Sequence, residues 1–167
     1  MTRLIKSTQS QKGFTLLEAM VAMVIFSVGL LGLGALQMAG VTNTQSSLYQ
    51  SIATQLTYDM ADRIRSNPVG AKGNYYDAIP TGIPGNNPSC SPPSTSCSPQ
   101  QVAERDNYQW ADNLRNMLPG GIGSVLGNGK VFTITVMWDG NRNGATGANC
   151  NPADPNDLKC SIITFVP

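Results

Sequence analysis

Three groups of residues carry the chemistry this sequence can offer: one glutamate inside an apolar run, four cysteines, and an Asp/Asn/Gly-rich stretch at residues 139–144. Glu18 is the sole charge in FTLLEAMVAMVIFSVGLLGLGAL, residues 14–36. A carboxylate at the centre of a membrane helix costs roughly 2.5–3.5 kcal/mol on insertion scales, and less near the end, where Glu18 lies. A plain anchor has no use for it. The cysteines form two close pairs, Cys90/Cys97 and Cys150/Cys160. Behind a membrane segment, an even count in local pairs reads as disulfides made in an oxidising compartment. A zinc site would need CxxC-like spacing, and these gaps are too wide. Asp139, Asn141 and Asn143 place oxygen ligands at the first, third and fifth positions of a calcium-loop pattern, with Gly144 at the sixth. The twelfth position is Cys150 rather than a bidentate glutamate, and an Asp/Asn/Gly run after a strand is ordinarily a turn. No metal or other cofactor is expected, with Asp139, Asn141 and Asn143 as the calcium candidates.

Histidine is absent, which excludes Ser-His-Asp and Cys-His catalysis and removes the commonest neutral metal ligand. No enzyme is expected. Eleven basic against ten acidic residues leave a net charge of +1, without the excess that nucleic-acid binding requires. The charges are unevenly placed: Arg3, Lys6 and Lys12 precede residue 14 with no acid among them. Without residues 1–13 the chain keeps eight basic and ten acidic residues.

The elements that must position these groups begin with the apolar run. At about 1.5 Å per residue, residues 14–36 span roughly 35 Å, enough to cross a bilayer core with some tilt. The basic leader predicts a cytoplasmic N-terminus and a remainder outside the cytoplasm. The run is too long for a secretory signal peptide, and Gln37-Met38-Ala39-Gly40 is a poor cleavage site. A simple signal anchor fits the length but leaves Glu18 unexplained.

The residues Lys12-Gly13-Phe14-Thr15-Leu16-Leu17-Glu18 resemble the processing motif of type IV prepilins. The resemblance implies cleavage between Gly13 and Phe14 by a membrane aspartyl prepilin peptidase and N-methylation of Phe14. It further implies that Glu18 neutralises the Phe14 amine of an adjacent subunit during filament assembly. Amine and carboxylate in an apolar bundle are each costly alone and tolerable as a pair.

No proline interrupts the chain before Pro68, and the pattern turns amphipathic after Gly40. Leu48, Ile52, Leu56, Met60 and Ile64 recur every four residues and predict one helix from Phe14 to about Ser66, roughly 80 Å long. Asp59/Arg63 and Asp62/Arg65 read as a solvated, salt-bridged face. Gly29, Gly32, Gly34 and Gly40 weaken the middle of this helix, for close packing or for local unwinding. Residues 68–98, with Pro80, Pro84, Pro88, Pro92 and Pro93, read as loop. Residues 99–118 read as a second helix, with Val102, Ala103, Trp110, Ala111, Leu114, Met117 and Leu118 as apolar members. Strands are predicted at 130–138 and 161–166, with further ones around 75–79 and 122–126. The resulting fold class is α+β, and the prepilin resemblance implies a pilin fold: a long N-terminal helix, transmembrane half plus amphipathic half, packed on a small antiparallel sheet. The expected organisation is 1–13 a removed leader, 14–40 a transmembrane and filament-core helix, 41–67 its amphipathic continuation, and 68–167 a globular head with disulfide-closed loops.

Further pieces are similar to one pilin subfamily, the PilV-like minor pilins or type IV pilus modification proteins. These are Gly29-Leu30-Leu31-Gly32-Leu33, the run from Asp59 to Asn67, Asp106, Trp110, Leu114, the run from Leu118 to Gly123, and the strand ending at Trp138. The resemblance implies a minor pilin that primes assembly with other minor and major pilins, an inner-membrane assembly platform and a tip adhesin. It implies residence in the inner membrane, head periplasmic, before assembly, and in a cell-surface pilus afterwards. A type II secretion pseudopilin and a membrane-anchored periplasmic binding domain are the alternatives.

Overall fold

A computed structural model of the chain describes residues 13–79, 82, 90 and 96–167. The basic leader up to Lys12 and the prolines 80, 84, 88, 92 and 93 of the expected loop lie outside the described residues. The elements run α1 (Leu16–Ser66), α2 (Pro68–Lys72), β1 (Ala78–Ile79), α3 (Pro99–Met117), β2 (Ile122–Gly127), β3 (Phe132–Trp138) and β4 (Lys159–Phe165). The chain divides into two compact units, residues 1–44 and 45–167.

In the first unit every described residue is exposed, including Leu16, Ile25, Phe26 and Leu31. α1 is continuous through Gly29, Gly32, Gly34 and Gly40, and a Cβ at any of the four would meet nothing within 4 Å. Close packing at these glycines therefore requires a neighbour from another chain.

In the second unit the expected stripe of α1 is buried at Leu56, Met60 and Ile64, joined by Ala53, Thr57 and Ala61. Leu48, the first member of the stripe, is 55% exposed, because the contacts begin about one turn later. The four strands form one antiparallel sheet in sequence order. Both further strands expected from sequence are present, as β1 and β2. Alternation in β3 turns Phe132, Ile134, Val136 and Trp138 into the core beside Val125, while Ile163 and Phe165 of β4 pack against it. Helix stripe, α3 and inner sheet face share one core, where each fully buried large apolar side chain contributes about 1.5–3 kcal/mol.

One boundary and one burial differ from the sequence reading. The loop predicted from residue 68 opens with a one-turn helix, α2. Asn67 leaves the helical conformation, its side-chain oxygen accepts the Gly70 N–H at 3.1 Å, and Pro68 takes the first helical position, where its missing N–H costs nothing. Met117, expected among the apolar members of α3, is 43% exposed.

The run from Leu118 to Gly123 joins α3 to β2 with almost no clearance. Gly120 has φ +58°, a left-handed turn conformation that favours glycine. A Cβ on Gly121 would lie 2.1 Å from the Leu114 carbonyl oxygen, and one on Gly123 would lie 2.4 Å from the Trp110 ring. The glycines let helix backbone and sheet backbone approach directly.

Candidate functional site

The N-terminal constellation is built at the start of α1. Thr15 stands immediately before the first helical residue, and its hydroxyl oxygen accepts the Glu18 N–H at 3.3 Å. Its carbonyl accepts from Glu18 N at 3.1 Å and Ala19 N at 3.2 Å. Thr15 is thus the N-cap, and Thr15-Leu16-Leu17-Glu18 has the spacing of a capping box. Glu18 falls in the first turn, where a carboxylate faces the positive end of the helix dipole. Phe14, four residues earlier, is 83% exposed. A Cβ on Gly13 would meet nothing within 4 Å, so the chain's own packing makes no demand for glycine there. The apolar part of α1 is long enough to cross a membrane, and none of its most apolar window is buried. An unbroken apolar helix surface of this kind needs lipid or like helices around it.

In the second unit the charged residues at the end of α1 do more than form a solvated face. Arg63 donates through Nε to Asp59 at 2.9 Å, as expected, and through Nη1 to Asp106 of α3 at 3.4 Å and to Gln109 at 3.1 Å. Asp106 is 4% exposed. Its other carboxylate oxygen accepts the Tyr76 hydroxyl at 2.7 Å. Asn67 Nδ2 donates to the Tyr76 oxygen at 3.1 Å and to the Pro99 carbonyl at 2.8 Å. Burial first, then the hydrogen bond to Asp106, pushes the Tyr76 hydroxyl well above its ordinary range. One chain of polar contacts therefore ties α1, α2, the segment before β1, and α3 together. Trp110 adds a second tie, donating its indole N–H to the Leu56 carbonyl at 2.8 Å. The Asp62–Arg65 pair remains the exposed surface pair predicted.

Both local cysteine pairs are bonded, Cys90–Cys97 and Cys150–Cys160, with Cα separations of 5.8 and 5.5 Å. The second closes the loop between β3 and β4. Inside that loop Asp139 accepts the N–H groups of Asn143 at 3.3 Å and Gly144 at 2.8 Å, so its carboxylate closes a turn on its own backbone. Asn143 accepts from Ala145 N and donates to the Pro155 carbonyl, while Asn141 is exposed. Among the described residues no group of three or more His, Cys, Asp or Glu side chains is placed to hold a metal. Arg142, from the same run, hydrogen-bonds Tyr49 of α1 and lies over its ring. Asp157, buried and unremarked in the sequence, accepts the Asn151 N–H at 3.0 Å and organises the far side of the loop.

Neither Tyr76 nor the Arg63–Asp106 bridge was legible as a site from spacing. The signals available were the Asn-Pro step at 67–68 and an acid at 106 on the otherwise apolar helix face of Ala103, Trp110 and Leu114. The family model of the prokaryotic N-terminal methylation motif matches residues 8–34, across Gly13, Phe14 and Glu18. The family model of type IV pilin Tt1218 matches residues 35–108, across the α1 stripe and the Arg63–Asn67–Tyr76–Asp106 contacts. No curated protein and no solved structure matches the chain. Adjoining family matches, a capped glutamate at the head of an exposed apolar helix, and that helix's second half packed on a four-stranded antiparallel sheet agree: the chain belongs to the type IV pilins and carries a prepilin N-terminal methylation motif.

Proposed function

We propose that this pilin is a minor pilin of the PilV kind, a subunit that primes assembly of a type IV pilus with other minor pilins and helps display a tip adhesin. In this reading residues 1–13 are the leader, cut by the prepilin peptidase between Gly13 and Phe14, and the Phe14 amine is then methylated. Residues 14–40 hold the subunit in the inner membrane, N-terminus cytoplasmic and head periplasmic, and later line the filament core. Residues 41–67 continue the helix into the head, 68–167. Glu18 pairs with the Phe14 amine of the neighbouring subunit.

The observation that carries this reading is the exposed apolar helix surface from Phe14 to Val41 with Glu18 in its first turn. Such a surface is suited first to lipid and then to a bundle of like helices, where a lone carboxylate is stable only when paired. The minor-pilin assignment draws on Asp59–Asn67, Asp106, Trp110, Leu114 and Leu118–Gly123, the residues of the polar ties and the tight α3–β2 joint.

Mass spectrometry of the mature chain, from membranes and from sheared filaments, tests the reading. The expected N-terminus is methylated Phe14. An intact Met1, or a cut near residue 39, overturns it. A deletion strain that keeps its pili but loses protein secretion assigns the chain to a type II secretion pseudopilus instead.

A further inference from the structure

Beside the joint between α1 and α2 lies a groove of about 310 Å³, lined by Arg65, Pro68, Ala71, Lys72, Lys130 and Val166 among others. Its floor is apolar and its rim is cationic. Arg65 is committed to Asp62 at 3.0 Å and lies over the Phe165 ring at 4.7 Å. Lys72 and Lys130 are exposed, and among the described residues neither has an ion pair and no acidic side chain lines the groove.

The walls are fixed before anything binds. Lys72 closes α2, whose start is held by the Asn67 cap. Lys130 sits in the β2–β3 turn, where Asn128 Oδ1 accepts the N–H groups of Lys130 at 3.1 Å and Val131 at 2.9 Å. The turn is tied back by Asp77, which accepts from Gly127 N through its carbonyl and from Gly129 N through its carboxylate, each at 2.9 Å. Gly129 lies so close to this wall that a Cβ would fall 2.7 Å from Asn74 Oδ1. Two ammonium groups on independent, tethered elements thus flank one apolar floor. Preorganised walls lower the ordering cost of binding.

We infer that this groove is a docking site for an acidic segment of another pilin subunit, one bulky apolar side chain seated on the Pro68–Ala71–Val166 floor and a neighbouring Asp or Glu between Lys72 and Lys130. The inference rests on the reading of the chain as a filament subunit and names a contact that reading lacks. Charge complementarity selects the acid. A volume near the small end of binding pockets, with an apolar floor, selects one anchoring side chain. A nucleic acid would instead call for an extended basic stripe along the backbone path.

The test uses the full chain in cells that make its filaments, with Val166 replaced by the photo-crosslinker p-benzoylphenylalanine. Products are read separately in membrane and sheared-filament fractions. The expected product joins this chain to a segment of a second pilin containing an Asp or Glu beside a large apolar residue. Lys72→Glu with Lys130→Glu is expected to cut its yield by about tenfold or more. Lys72→Arg with Lys130→Arg keeps it, and reversing the partner's acid to lysine restores it in the double-glutamate chain. A product with lipid or nucleic acid, a product at a segment without an acid, an unchanged yield in the double-glutamate chain, or no product in either fraction overturns the inference. A chain that crosslinks in membranes but never reaches sheared filaments sinks the subunit reading while leaving the groove's partner identified.

Discussion

Glu18 and Asp106 are both carboxylates on α1 or against it, yet their surroundings assign them different work. Glu18 is exposed in the first turn of an apolar helix, with its backbone N–H on the Thr15 cap. In the proposed assembly its partner is the Phe14 amine of another chain. Glu18→Ala should leave cleavage after Gly13 intact while reducing recovery in sheared filaments by well over tenfold, since an unpaired amine in an apolar bundle costs about 3–5 kcal/mol. Immunoblots of membrane and filament fractions read both effects, and undiminished recovery means the amine-pairing account is wrong. Asp106 works inside the head, accepting from Arg63 and Tyr76 at once. Asp106→Ala leaves the buried Tyr76 hydroxyl without its acceptor and takes one of three partners from the Arg63 guanidinium, so the head should lose about 2–4 kcal/mol in denaturant unfolding. Tyr76→Phe, which removes the donor to Asp106 and one acceptor of Asn67 but leaves the ion pair, should cost about 1–1.5 kcal/mol. Equal losses would mean that the ion pair adds nothing.

At the scale of elements, the head is organised by how closely α3 approaches the sheet. Gly121 touches the carbonyl end of α3 and Gly123 lies under the Trp110 ring, so both are glycine for want of space rather than for flexibility. Gly123→Ala should destabilise by about 1–3 kcal/mol through overpacking against Trp110 and Leu114. Gly121→Ala should cost more, because the atom it meets is main-chain oxygen, which cannot rotate away. Thermal unfolding followed by Trp fluorescence measures both, and a neutral Gly121→Ala would show that the joint has slack. The same logic explains α2. Asn67 ends one helix, caps the next and reaches Tyr76 and Pro99. One side chain sets the direction in which the chain enters the head.

At the scale of the whole molecule, the two units differ in what they need from outside. Residues 45–167 hold a shared core, a complete sheet and two disulfides. Residues 13–44 bury none of their side chains. A chain beginning at Gln45, exported to an oxidising compartment, should therefore be soluble without detergent and unfold cooperatively. The chain retaining the apolar segment should need detergent or lipid. Size-exclusion chromatography with circular dichroism checks this; aggregation of the shorter chain would mean that the first unit stabilises the second.

The prepilin-like start was legible in the sequence because every part of it is local. An apolar run needs no fold to be apolar, a charge inside it is conspicuous, and Gly13, Phe14 and Glu18 lie within six consecutive residues. The same holds for the two short cysteine spacings, for the period-two alternation of Phe132 to Trp138, and for the period of four along α1. Only the tertiary structure decided that Arg63 reaches Asp106, that Asp106 also accepts from Tyr76, and that Lys72 and Lys130 flank one groove. Those partners are tens of residues apart. Asp59 at i,i+4 offers Arg63 a sufficient local partner, so nothing in the spacing announces a second one. An acid on a helix or a lysine in a turn looks the same in sequence whether it faces water or another element. Burial makes the difference: it removes the water that would otherwise satisfy these groups, so their partners are set by which elements pack together.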